Sequence, residues 1–192
     1  MKIKPLFFYT DLLLSRTALR LVPKAITPNY ITVLRFILVP IVFFLFIYGY
    51  YRLGAILFIL AAFTDALDGA LARTTDQITE WGKVFDPLAD KLLIGSVAAV
   101  LVTRFLNFYL AGAIVGVELF LILFGYWKKY YRKAKIEANY LGKTKMISQS
   151  VGLGVLCLAI VIHSPILILM ATAILYLSVT FAILSLFGYR SI

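Results

Sequence analysis

Asp65, Asp68, Asp86 and Asp90 fall within one short stretch of a chain that is otherwise oily enough to live in a bilayer. Of its 192 residues 62% are hydrophobic and the mean hydropathy is +0.97, far above a globular composition. Carboxylates at membrane depth are costly and mark function. Residues three or four apart share a helix face, so Asp65 pairs with Asp68 and Asp86 with Asp90. If the two segments are antiparallel neighbours joined by residues 74–81, all four carboxylates converge on one small volume, where they repel one another unless a cation lies between them.

The donor atoms are all oxygen, and no His or Cys lies in the stretch, which points to a hard divalent cation, Mg²⁺ or Mn²⁺. Gly69 leaves the helix backbone open to a ligand, and Arg73, four residues on, offers a fork suited to phosphate. Carboxylate-held metal beside a phosphate-binding Arg suggests chemistry on a phosphoanhydride. A transporter using Asp as a relay would not require Gly69, Ala72, Arg73 and Gly82 at these places, and no inverted repeat is evident.

The pattern D-x-x-D-G-x-x-A-R, here Asp65 to Arg73, followed by G-x-x-x-D-x-x-x-D, here Gly82 to Asp90, resembles the signature of the CDP-alcohol phosphotransferase family at every fixed position. The resemblance implies six membrane helices with a polar site at the cytosolic edge. It also implies transfer of a phosphatidyl group from CDP-diacylglycerol to a hydroxyl acceptor, with release of CMP. Asp65, Asp68, Asp86 and Asp90 would hold two metal ions, and Asp90 would take the proton of the acceptor hydroxyl. Gly69, Arg73 and Gly82 would hold the nucleotide part, with Asn29, Thr32 and Thr79 lining the CDP-lipid pocket. Relatives in the family are homodimers, which the resemblance carries over to this chain.

The wording Asp86-Pro-Leu-Ala-Asp90-Lys91 is especially similar to the phosphatidylglycerophosphate synthases of the family and to the cardiolipin synthases built on its fold. Gly142-Lys143-Thr144-Lys145, followed by Gln149, resembles the segment whose lysines lie close to the acceptor's phosphate, so Lys143 and Lys145 are the expected acceptor-binding residues. One departure stands out. Where those synthases carry an Arg-Glu pair in the fourth helix and another Arg about two turns on, this chain has Val117-Glu118 and no basic residue near Gly125. Either Lys128, Lys129 or Arg132 takes over, or the acceptor differs. Glycerol 3-phosphate leads as acceptor, phosphatidylglycerol (giving cardiolipin) follows, then inositol phosphate or serine. The non-enzymatic reading is a lipid-binding membrane protein, against which the complete motif argues.

Taken in order, residues 1–28 read as an amphipathic interfacial segment, with Phe7, Phe8, Leu12, Leu19 and Val22 set among charges. Residues 29–192 read as one all-α membrane domain. A spanning helix needs about 20 apolar residues, which places six near 30–48, 53–73, 85–104, 107–127, 146–162 and 165–187. Asn29 and Thr32 stand where an N-cap of the first span would. The net charge of +10 favours anionic lipid headgroups or a phosphorylated substrate, and no nucleic-acid motif accompanies it. Most basic residues fall at the termini, at 74–83 and in an expected loop at 128–145, whereas Arg52 and Arg104 lie on the other side. The Asp-bearing link therefore faces the cytoplasm of an inner, or cell, membrane. The lone Cys157 reads as a helix-packing residue and His163 as a loop residue away from the site.

Overall fold

The computed structural model describes residues 28–75, 82–132 and 140–188. All elements among them are helical. They are α1 (Pro28–Ile47), α2 (Tyr51–Thr75), α3 (Gly82–Val97), α4 (Phe108–Arg132), α5 (Tyr140–Ile162) and α6 (Pro165–Gly188). One π turn at Ala98–Val102 and a last turn at Thr103–Phe105 prolong α3. The interfacial helix expected before residue 28 lies outside the described residues.

The chain turns tightly at one end of the helices. Gly49, at φ 82°, ends α1, and the N–H of Tyr50 bonds back to the Leu45 carbonyl at 2.8 Å. His163 ends α5 at φ 57°, and the Ser164 N–H reaches the Ala159 carbonyl at 3.1 Å. Both are Schellman closures, which need a left-handed residue just past the helix. The third turn is capped from the other side, where the Asn107 side-chain oxygen accepts the Tyr109 N–H at 2.7 Å and starts α4. At this end Arg104 also donates to the Tyr51 hydroxyl at 2.7 Å, tying the end of the third helical run to the start of α2.

The molecule is apolar outside and charged inside. Leu34, Ile37, Phe44, Ile166 and Leu169 are among many large apolar side chains left exposed, while Arg35, Glu118, Lys145 and Gln149 are 0–2% exposed. Water would reverse that arrangement, and a hydrocarbon solvent demands it. Among the described residues, three stretches, Tyr30–Ile47, Thr144–Ile162 and Pro165–Ser185, are long and apolar enough to cross a membrane.

α5 and α6 make the broadest helix contact, and α1 packs on both α2 and α3. Phe46, Phe58, Val97, Leu101, Leu153, Leu156 and Leu175 fill the core between them, with Cys157 packed among them. Close approach rests on small residues, as membrane helices require. A Cβ on Gly54 would come within 2.7 Å of the Phe46 ring, which is itself fully buried. Gly54→Ala is therefore expected to destabilise the α1–α2 contact by about 1–3 kcal/mol, since a caged ring cannot step aside. Thermal melting of the detergent-solubilised variant against the parent measures it, and an unchanged melt would mean that the helices separate freely.

Two expectations are corrected. The loop placed at 128–145 is mostly helix: α4 continues to Arg132 and α5 already begins at Tyr140. Lys, Arg and Tyr do not break helices, and charge alone does not mark a helix end. Nor does Thr32 serve as an N-cap, because it lies one turn inside α1 and its hydroxyl is used elsewhere.

Candidate functional site

The first half of the acidic motif, Asp65 to Arg73, forms the C-terminal part of α2, and the second half, Gly82 to Asp90, opens α3. These two helices touch, α2 ending at Thr75 and α3 beginning at Gly82. Asn29 and Gly69 lie in α1 and α2, whereas Thr79 lies outside the described residues, as do the side chains of Asn29, Asp65, Asp68, Arg73 and Lys143. Gly82 is buried at the start of α3.

Both remaining aspartates are held by α1. The Thr32 hydroxyl donates to Asp86 Oδ1 in a short hydrogen bond. One turn further on, Arg35 Nη1 stands 3.4 Å from Asp90 Oδ1. Thr32 and Arg35 are three apart on α1, and Asp86 and Asp90 are four apart on α3, so the two contacts form successive rungs between the helices. Phe36 and Phe85 close the rungs with an edge-on ring contact at 6.2 Å. Pro87 follows Asp86 inside α3 and removes the N–H that would bond the carbonyl four residues back, loosening the helix beside the carboxylates.

The polar interior continues beyond Asp90. Lys91, half-buried, is in electrostatic contact with Glu118, Lys145 and Asp90. Lys145, 1% exposed, makes a close ion pair with Glu118, 2% exposed. One turn after Lys145 on α5 comes Gln149, which is completely buried. Across α1, α3, α4 and α5, Arg35 therefore faces Asp90, and Lys145 faces Glu118 with Lys91 close by. That balance is what permits ionic groups at such depth.

Of the residues singled out in the sequence, Thr32, Asp86 and Asp90 are brought together, and Lys145 joins them through Lys91 and Glu118. Lys145 had been expected in an open loop; it is a buried helix residue. Arg35 was missed. The signal was present, because a lone guanidinium inside the apolar run Ile31–Ile47 has no reason to be there unless it meets a carboxylate. Glu118 had been noted only as what remained of a broken pair, and its cation comes instead from α5.

Among the described residues, an all-helical bundle, apolar outside and with buried carboxylates meeting cations between its helices, defines an integral membrane protein with a polar interior. Residues 25–184 match the family described as CDP-alcohol phosphatidyltransferase. The chain belongs to that family. It is similar to a CDP-diacylglycerol--glycerol-3-phosphate 3-phosphatidyltransferase of Rickettsia typhi, 44% identical over 80 residues, 40% of this chain and 45% of the relative. A protein of the same description from Pseudomonas fluorescens is 43% identical over 98 residues, 48% of this chain and 50% of the relative. A probable cardiolipin synthase (CMP-forming) of Drosophila melanogaster is 37% identical over 126 residues, 64% of this chain and 39% of the relative. The chain thus spans half the length of these three relatives or less.

Proposed function

We propose that the protein transfers the phosphatidyl group of CDP-diacylglycerol to a hydroxyl of glycerol 3-phosphate, releasing CMP. The observation that carries this reading is the pair of rungs from α1 to Asp86 and Asp90, with the Lys91–Glu118–Lys145 cluster directly behind them. Carboxylates and cations stand on neighbouring helices, as joining a diphosphate lipid to a phosphorylated alcohol requires. The names of the Rickettsia and Pseudomonas relatives support the same acceptor.

The donor set fits a hard divalent cation, since the carboxylate oxygens of Asp86 and Asp90 are steered by a hydroxyl and a guanidinium rather than by sulfur or imidazole. Asp65, Asp68, Asp86 and Asp90 would hold two ions, Mg²⁺ or Mn²⁺. When bound, they neutralise the diphosphate and the charge that builds on departing CMP. The protein's own groups do the rest. Asn29, Thr32, Gly69, Arg73, Thr79 and Gly82 bind the CDP part. Asp90 takes the proton of the acceptor hydroxyl as its oxygen bonds to the phosphorus that carries diacylglycerol. The bond from that phosphorus to the bridging oxygen breaks, and CMP leaves with the electron pair. Lys143 and Lys145 attract the acceptor's phosphate.

In this reading all six helices cross the bilayer. The tight turns Tyr48–Tyr50 and His163–Ser164 lie outside, and the ends at residues 75, 82, 132 and 140 lie in the cytoplasm, where the lysine-rich stretch around 128–145 belongs. The membrane is the cell (inner) membrane, and the domain formed by 29–192 crosses it. The working unit is a homodimer. A second acceptor, phosphatidylglycerol, is favoured by the likeness to the cardiolipin synthase.

The test is incubation of the purified full-length protein with CDP-diacylglycerol, Mg²⁺ or Mn²⁺ and a panel of alcohols, with the lipid product identified by mass. Phosphatidylglycerophosphate is the expected product, and a divalent chelator is expected to lower CMP release by more than about 10³-fold. Turnover that survives chelation would overturn the metal assignment. Failure with every alcohol would favour a lipid-binding protein without catalysis.

A further inference from the structure

Two polar side chains in the bundle interior have hydrogen-bonding capacity that finds no partner among the described residues. Glu118 meets Lys145 through Oε1, while its Oε2 has no hydrogen-bond partner among the described residues. Gln149 is 0% exposed, and neither its Oε1 nor its Nε2 has a hydrogen-bond partner among the described residues. Native proteins satisfy nearly all such groups, with protein, water or ligand.

The unused groups occur together. Gln149 follows Lys145 by four residues and so shares its helix face, the face on which Lys145 meets Glu118. Gln149 and Lys91 both lie nine residues into their helices, about 13 Å from the starts of α5 and α3, and those helices touch. Lys91 in turn adjoins Asp90 in the chain and shares its electrostatic surroundings with Glu118 and Lys145. The vacant hydrogen-bonding capacity therefore lies on the face of the Lys145–Glu118 pair, which Lys91, the chain neighbour of Asp90, feels electrostatically.

Its chemistry selects an occupant. An amide that donates and accepts, next to a carboxylate oxygen that only accepts, complements a hydroxyl group. A second phosphate or a carboxylate would meet the Glu118 charge, and an ammonium would meet Lys91 and Lys145. We propose that Gln149 and Glu118 form a hydroxyl-recognition subsite of the acceptor site, so that the acceptor class is a polyol phosphate carrying a free hydroxyl next to the one that reacts. This proposal rests on the phosphatidyl-transfer reading and sharpens it. Gln149 binds the non-reacting hydroxyl, and Glu118 both accepts from it and holds Lys145 against the bundle.

The test compares glycerol 3-phosphate with 3-hydroxypropyl phosphate, which keeps the primary hydroxyl and the phosphate but lacks the middle hydroxyl. The full-length protein and its Gln149→Leu variant are assayed with CDP-diacylglycerol. The parent is expected to favour glycerol 3-phosphate by about 100-fold or more in kcat/KM, because a site built around a hydroxyl leaves its own polar atoms unpaired without one. In Gln149→Leu the ratio is expected to fall below about 5-fold, with kcat/KM for 3-hydroxypropyl phosphate nearly unchanged. Gln149→Met, which removes the amide with a more adaptable side chain, should repeat the result if the Leu variant fails to fold. Discrimination that persists in the variants, or a parent that does not discriminate, overturns the subsite while leaving the transfer reading intact. A parent that turns over neither phosphate overturns both.

Discussion

Asp90→Asn lowers kcat by roughly 10³–10⁴-fold while CDP-diacylglycerol still binds within a few-fold of its parent affinity. Asn matches the shape of Asp and can still ligate through one oxygen, but it cannot take a proton at neutral pH. The loss therefore falls on the step in which the acceptor oxygen bonds to phosphorus. The variant also replaces a carboxylate 3.4 Å from Arg35 with a neutral amide, so folding has to be monitored alongside the rate. CMP release measured in parallel with binding of the CDP-lipid checks the claim. A rate close to the parent's would remove Asp90 from proton transfer, and a proportionate loss of CDP-lipid binding would recast it as a substrate-holding residue.

Glu118→Ala is expected to destabilise the folded bundle by about 3–5 kcal/mol, because it strands charge where water cannot follow. Lys145, 1% exposed, loses the counter-charge it meets among the described residues, and Lys91 loses an attractive neighbour. Removing both members of the pair should be less harmful than removing one. The double variant Glu118→Leu with Lys145→Met carries no buried charge at these positions, and its melting temperature is expected to recover most of the loss. It should nevertheless stay impaired toward phosphorylated acceptors. Thermal denaturation of Glu118→Leu, Lys145→Met and the double variant in the same detergent completes the cycle. A single-variant loss below about 1 kcal/mol would mean that the pair is solvated after all.

How much of the site was legible beforehand follows from the range of the interactions involved. The motif halves could be read because their spacing is local: three or four residues on a helix bring Asp86 and Asp90 to one face whatever the rest of the chain does. The six helices emerged from apolar runs of membrane length. Helix ends near 128–145 were misjudged because a run of lysines and tyrosines looks like a loop yet sits comfortably in a helix that projects beyond the apolar layer. Thr32 was placed at the site for a cap or a lipid pocket, and its bond to Asp86 comes from a residue 54 positions away. Arg35 could have been flagged from its apolar surroundings, but its partner could not.

The order of residues by itself determined that this chain lies in a membrane, that it is helical, and that it carries the acidic motif of one family. All three are properties of short windows: apolar length, helical period and motif spacing. Only the tertiary structure decided how the interior charges are matched, with Arg35 against Asp90 and Lys145 against Glu118, and that Gln149 is left with an unused amide among them. The reason is physical: the cost of a buried charge is set by what a different helix places within a few ångströms of it, and sequence distance does not report that separation.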